Sequence, residues 1–109
     1  MNDVKTISVH RLNDKIKQKE DFVILDVREY SEVKISKISG SMHIPMNQIP
    51  DNVSKLDNSK DIVVMCKSGV RSYNVCQYLI QNGFENIYNL EGGIINWALE
   101  IDSNMKIQK

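Results

Sequence analysis

The segment Ile62-Val-Val-Met-Cys66 constrains this chain more than any other. It is apolar at consecutive positions and rich in β-branched side chains, and only Lys67 to Val70 separate it from a helix-patterned stretch, Arg71 to Asn82. A run apolar on both parities has to be buried on both faces, as strands of a covered parallel sheet are. In the stretch that follows, Val75 and Leu79, and Cys76 and Ile80, recur four residues apart, and Gly83 supplies a C-terminal stop. Val23-Ile-Leu-Asp26 repeats the strand signature, and Ile87 to Leu90, Met42 to Ile44 and an edge segment Thr6 to Ser8 extend it. Further helical character runs from Val9 to Lys17 behind a Ser8 cap, from Glu29 to Ile35, and from Ile94 to Leu99 after the Gly92-Gly93 turn. Short strands alternating with helices predict an α/β domain with a mainly parallel sheet flanked by helices.

With 109 residues the chain has room for one such domain, which we place at residues 1–101, with 102–109 as a loosely ordered tail that is polar apart from Met105 and Ile107. A domain of this size buries roughly 65% of the surface of its unfolded chain, enough to fold without a disulfide or metal staple. Fourteen Lys plus Arg balance fourteen Asp plus Glu with no basic block, which disfavours nucleic acid as a partner. No apolar run approaches the ~20 residues of a membrane span. The start, MNDVKTISVHRL, lacks the features of a secretory signal, so we expect a cytoplasmic protein with no membrane partner. Nine residues separate Cys66 from Cys76, so they form no CxxC pair, and His10 and His43 complete no zinc spacing. We therefore expect no metal, and without a GxGxxG or Walker pattern we expect no cofactor.

The chemistry concentrates in Cys66-Lys67-Ser68-Gly69-Val70-Arg71-Ser72, between the most apolar strand and the clearest helix. Open α/β sheets bind ligands where strands end and helices begin. If the loop curls back, its amides and the first helical turn point at the Cys66 sulfur, an arrangement that favours anions. Gly69 permits the tight reversal, while Ser68 and Ser72 offer hydroxyl donors. Such surroundings lower a thiol pKa from ~8.5 and make Cys66 a nucleophile near neutrality. Lys67 either steers an anionic donor or is a solvated loop residue. Arg71 either clamps an oxyanion or pairs with a carboxylate at the helix end. Cys76, on the apolar stripe, reads as core, as does Trp97, and His43 reads as structural.

The loop CKSGVRS, the earlier Leu25-Asp-Val-Arg-Glu29 and the later Asn89-Leu-Glu-Gly-Gly-Ile-Ile-Asn-Trp97 together resemble a single-domain rhodanese-like sulfurtransferase, over roughly Val4 to Leu99. The resemblance implies a five-stranded sheet, Cys66 as the persulfide-carrying residue, and Lys67 through Arg71 as a cradle whose amides stabilise thiolate and persulfide. It makes Asp26 and Arg28 supports of the loop and fold. The partners it implies are a small anionic sulfur donor such as thiosulfate and a thiol or protein acceptor, with cyanide the laboratory acceptor. Where that family commonly has Gly-His-Ile, this chain has Ser36-Lys37-Ile38. Two alternatives stay open: a Cys-dependent phosphatase or arsenate reductase of the same fold, whose loops have five residues between Cys and Arg where this one has four, and a non-catalytic binding module.

Overall fold

A computed structural model describes residues 4–107. The ends of the expected domain and of the expected tail, 1–3 and 108–109, lie outside the described residues. Five strands, β1 (Lys5–Ile7), β2 (Phe22–Asp26), β3 (Met42–His43), β4 (Asp61–Met65) and β5 (Ile87–Leu90), form one sheet in the order β1-β5-β4-β2-β3. Every pairing among them is parallel, so the sheet expected to be mainly parallel is wholly so. The helices are α1 (Val9–Lys17), α2 (Tyr30–Val33), α3 (Ile49–Asn52), α4 (Val70–Gln81) and α5 (Gly93–Glu100).

The period-two geometry of β4 divides the interior. Ile62, Val64 and Cys66 join Val75, Cys76 and Leu79 of α4 and Ile49 of α3 on one side of the sheet. Val63 and Met65 join Val9 and Leu12 of α1 and Ile94 and Trp97 of α5 on the other. At the central position both faces are covered, which is why this strand carries no polar side chain between Ile62 and Met65. Ser8 caps α1 by accepting a hydrogen bond from the Arg11 N–H at 3.0 Å, so the edge strand ends one residue before the expected Ser8.

Met46 to Lys55, where periodicity places no element, holds two 3-10 turns around α3, with Pro50 in the first turn of that helix. Past Ile101, the stretch expected to be loose lays Met105 and Ile107 against the α1–α5 side of the core. The Ser36 hydroxyl donates to the Lys106 carbonyl, tying this stretch to the Ser36-Lys37-Ile38 turn.

Candidate active site

Cys66 directly follows the last residue of β4, at the C-terminal end of the central strand, and is 1% exposed. Three residues then reverse the chain before α4 begins at Val70. The reversal turns on Gly69, whose φ of 110° lies in the left-handed region that side chains disfavour. It brings the Gly69 N–H to 3.1 Å and the Ser72 N–H to 3.4 Å from Cys66 Sγ, with Ser72 Oγ at 3.2 Å. Burial is the largest influence on this thiol and opposes ionisation. The Ser72 hydroxyl and the N–H groups of Ser72, Gly69 and Ser68 act the other way and together prevail, so the Cys66 pKa lies below its ordinary value. The loop thus curls back on the sulfur, the condition on which the anion-favouring arrangement depended.

The loop is held from both sides. The α5 N-terminus lies against it: the Ile94 N–H donates to the Cys66 carbonyl at 2.9 Å and the Ile95 N–H to the Lys67 carbonyl at 3.1 Å. This contact explains Gly93. A Cβ on Gly93 would collide with the Lys67 carbonyl group and stand 2.6 Å from the Cys66 carbonyl oxygen, at a φ of 60°. On the β2 side, the Val27 N–H donates to the Met65 carbonyl at 3.0 Å. Asp26 and Arg28, both buried, form a closed pair there, with Arg28 Nε and Nη2 on the carboxylate at 3.0 and 2.8 Å and Nη2 also on the Ser36 carbonyl at 2.8 Å. Through these bonds the pair ties the end of β2 to the Ser36 carbonyl and shapes the 26–36 segment. His43 lies beyond, with Nε2 2.6 Å from the Arg28 carbonyl and its ring edge-on to Tyr30.

Arg71 takes the second of its two readings. Its Nη1 and Nη2 donate to the two carboxylate oxygens of Glu32 on α2, at 2.6 and 2.9 Å. The guanidinium beside Glu32 holds that carboxyl down to about 2, and Glu32 in turn raises Arg71. Both ends of the guanidinium fork are therefore taken in this state, and an oxyanion would have to displace Glu32 to reach them. Lys67 is half-buried, while Ser68 and Val70 are exposed at the mouth of the loop. Cys76, on α4 inside the same core layer, is pushed up to about 12, by burial first and by nearby Cys66 second.

Two residues not singled out from the sequence join the site: Glu32 and Asn89. Asn89 sits on β5, buried on the α4 side of the sheet. Its Nδ2 donates to the Gly69 carbonyl at 3.1 Å and its Oδ1 accepts from the Ser72 hydroxyl at 2.5 Å. Its signal was legible, since a polar side chain with the parity of Ile87 stands where a covered strand calls for an apolar one. Among the described residues no group of three or more His, Cys, Asp or Glu is placed to hold a metal ion, and no helix is long and apolar enough to cross a membrane.

Residues 8–100 match the profile of the rhodanese-like domain. The protein named "Putative sulfurtransferase YtwF" of Bacillus subtilis (strain 168) is 42% identical over 98 residues, covering 90% of this chain and 94% of that one. A protein of Allochromatium vinosum named "Sulfurtransferase" is 37% identical over 95 residues, covering 87% of this chain and 89% of that one. Among solved structures, a rhodanese-like domain protein from Staphylococcus aureus superposes with a TM-score of 0.84 at 32% identity, covering 97% of this chain and all of that one.

Proposed function

This chain belongs to the rhodanese-like family, and from that premise we propose that it is a sulfurtransferase carrying sulfane sulfur as a persulfide on Cys66. One observation carries the reading: the N–H groups of Gly69 and Ser72 converge on the sulfur of a buried cysteine at the end of the central strand. Donors fixed in this way stabilise a thiolate, and after transfer they stabilise the charge of a persulfide, without reorganising. The names of the Bacillus and Allochromatium relatives point to the same reaction class.

The reaction balances without a cofactor. The Cys66 thiolate attacks the outer sulfur of thiosulfate, a new S–S bond forms at Cys66, the S–S bond of thiosulfate breaks, and sulfite leaves with the electron pair. A thiophilic acceptor then takes the outer sulfur and returns the Cys66 thiolate. With cyanide the product is thiocyanate, and in the cell a small thiol or a protein thiol fills the role. Because Cys66 is covered, the mouth of the loop has to open to admit the donor. Lys67 and an Arg71 released from Glu32 are the cations that meet the donor's sulfonate oxygens. A loop with four residues between Cys66 and Arg71 suits a sulfur atom better than a phosphoryl group, which favours this reading over phosphate chemistry. We place the reaction in the cytoplasm, where thiols are kept reduced.

Intact-protein mass spectrometry after thiosulfate exposure tests the assignment. The expected result is a gain of one sulfur atom that cyanide removes and that Cys66→Ser abolishes, while Cys76→Ser leaves it unchanged. Retained sulfur uptake in Cys66→Ser would overturn the assignment.

A further inference from the structure

Ser72 has one hydroxyl proton and two acceptors within reach of it: Asn89 Oδ1 at 2.5 Å and Cys66 Sγ at 3.2 Å. The Asn89 amide cannot turn over to change this competition. Its Nδ2 is committed to the Gly69 carbonyl at 3.1 Å, and a flipped amide would set oxygen against oxygen there. All three residues are buried, with Asn89 at 7% exposure, so losing a partner within the trio is costly.

We propose that Asn89 is a positioning residue for the nucleophile: it holds the Ser72 hydroxyl proton while Cys66 is a thiol and yields it to the sulfur when Cys66 ionises, so that it governs how readily the thiolate forms. In the thiol state the chain of donors runs from Cys66 S–H to Ser72 Oγ and from Ser72 O–H to Asn89 Oδ1. On ionisation the thiol proton leaves to solvent, the Ser72 hydroxyl turns toward the sulfur, and Asn89 Oδ1 loses its donor. When the sulfur then forms its bond to an incoming sulfane atom, the charge leaves Sγ and the Ser72 hydroxyl returns to Asn89. The hydroxyl thus follows the charge through the cycle, and Asn89 is the acceptor that holds it between turns.

The other groups around the sulfur do not perform this exchange. Arg71 and Cys76 on α4 both feel the charge of Cys66, and half-buried Lys67 follows it in the chain. Arg71 is bonded to Glu32 of α2, and Cys76 stays protonated across the range in which Cys66 titrates. The β2 side presents the Asp26–Arg28 pair, whose charges cancel, and α5 presents backbone N–H groups to the loop's carbonyls.

The inference rests on Cys66 being the ionising nucleophile, and its test uses no sulfur donor. Asn89 has two effects of opposite sign on the Cys66 midpoint: it competes for the Ser72 proton, and it straps the loop through Gly69. A double-mutant cycle separates them. Ultraviolet thiolate absorbance gives the Cys66 midpoint in the native chain, Ser72→Ala, Asn89→Leu and the double variant. In Ser72→Ala only the strap remains to be lost. We expect Asn89→Leu to move the midpoint lower, relative to its effect in the Ser72→Ala background, by about half a pH unit or more, a threefold change in acid constant. Equal shifts in both backgrounds, or a difference of the opposite sign, would overturn the proposal.

A second measurement needs no substitution. In the isotopically labelled native chain, the Asn89 side-chain carbonyl carbon is expected to move upfield through the Cys66 midpoint, as a carbonyl does on losing a donor. A flat or downfield response overturns the proposal. Persulfide formation with a null cycle would refute the Asn89 exchange and leave the sulfurtransferase reading standing, and the reverse pattern would separate them the other way.

Discussion

Cys66 and Cys76 are both buried on the α4 side of the sheet and belong to one core layer, yet they stand at opposite ends of thiol chemistry. The difference is not burial, which opposes ionisation at both sites. Cys76 lies in the interior of α4, where the helix has already spent the neighbouring N–H groups on its own carbonyls, and nothing offsets desolvation. Cys66 lies one residue beyond a strand and just before the helix, where the N–H groups of Gly69 and Ser72 have no helical partner and turn to the sulfur. Ten positions of sequence separate a thiol held low from a thiol pushed high because the backbone between them changes from open donors to closed ones.

The largest break in this comparison comes from exchanging the sulfurs one at a time. Cys66→Ser is expected to lower thiosulfate-dependent thiocyanate formation by at least about a thousandfold, whereas Cys76→Ser holds it within about twofold, measured as steady-state turnover. A direct titration sharpens the contrast. Ultraviolet absorbance of the native chain should show one thiolate appearing below the ordinary 9.0, with the second absent until the neighbourhood of 12. The sign for stability follows by linkage. The depressed Cys66 contributes stability that is full above 9.0 and is lost as pH falls through its folded value. The elevated Cys76 contributes stability that is full below 9.0 and is lost as pH rises through its own.

Two smaller effects test what holds the open donors in place. Gly93→Ala forces a methyl group into the Cys66 and Lys67 carbonyls, and we expect a loss of about 2–4 kcal/mol in urea unfolding, together with a higher Cys66 midpoint. Glu32→Gln removes the anion that holds Arg71, with an expected loss of about 1–2 kcal/mol at neutral pH. Because the Glu32 pKa falls from 4.5 to about 2 on folding, the gap between native and variant should be full above 4.5 and close as pH falls toward 2. A gap independent of pH would refute the ion pair as its source.

Much of this was legible in the residues. The strand and helix signatures around Cys66 follow from periodicity, and covered central strands show the same apolar run wherever they occur. Met46 to Lys55 was not legible, because single turns are shorter than the period that reveals a helix. Arg71 showed two readings, and the choice between them depended on Glu32, 39 positions away, a distance at which local pattern carries no information. Asn89 lay within the quoted motif, but its role depends on Ser72 and Gly69 meeting it across β4 and α4, which only the folded chain brings about.

The contact between α5 and the Cys66 loop also orders events in time. Synthesis delivers Cys66 before Gly92 to Ile95, so while those residues are still in the ribosome the carbonyls of Cys66 and Lys67 lack the N–H groups that hold them. The donors to Cys66 Sγ all precede α5 in the chain, so α5 on docking adds no donor to the sulfur and instead fixes the carbonyls of the loop that carries those donors.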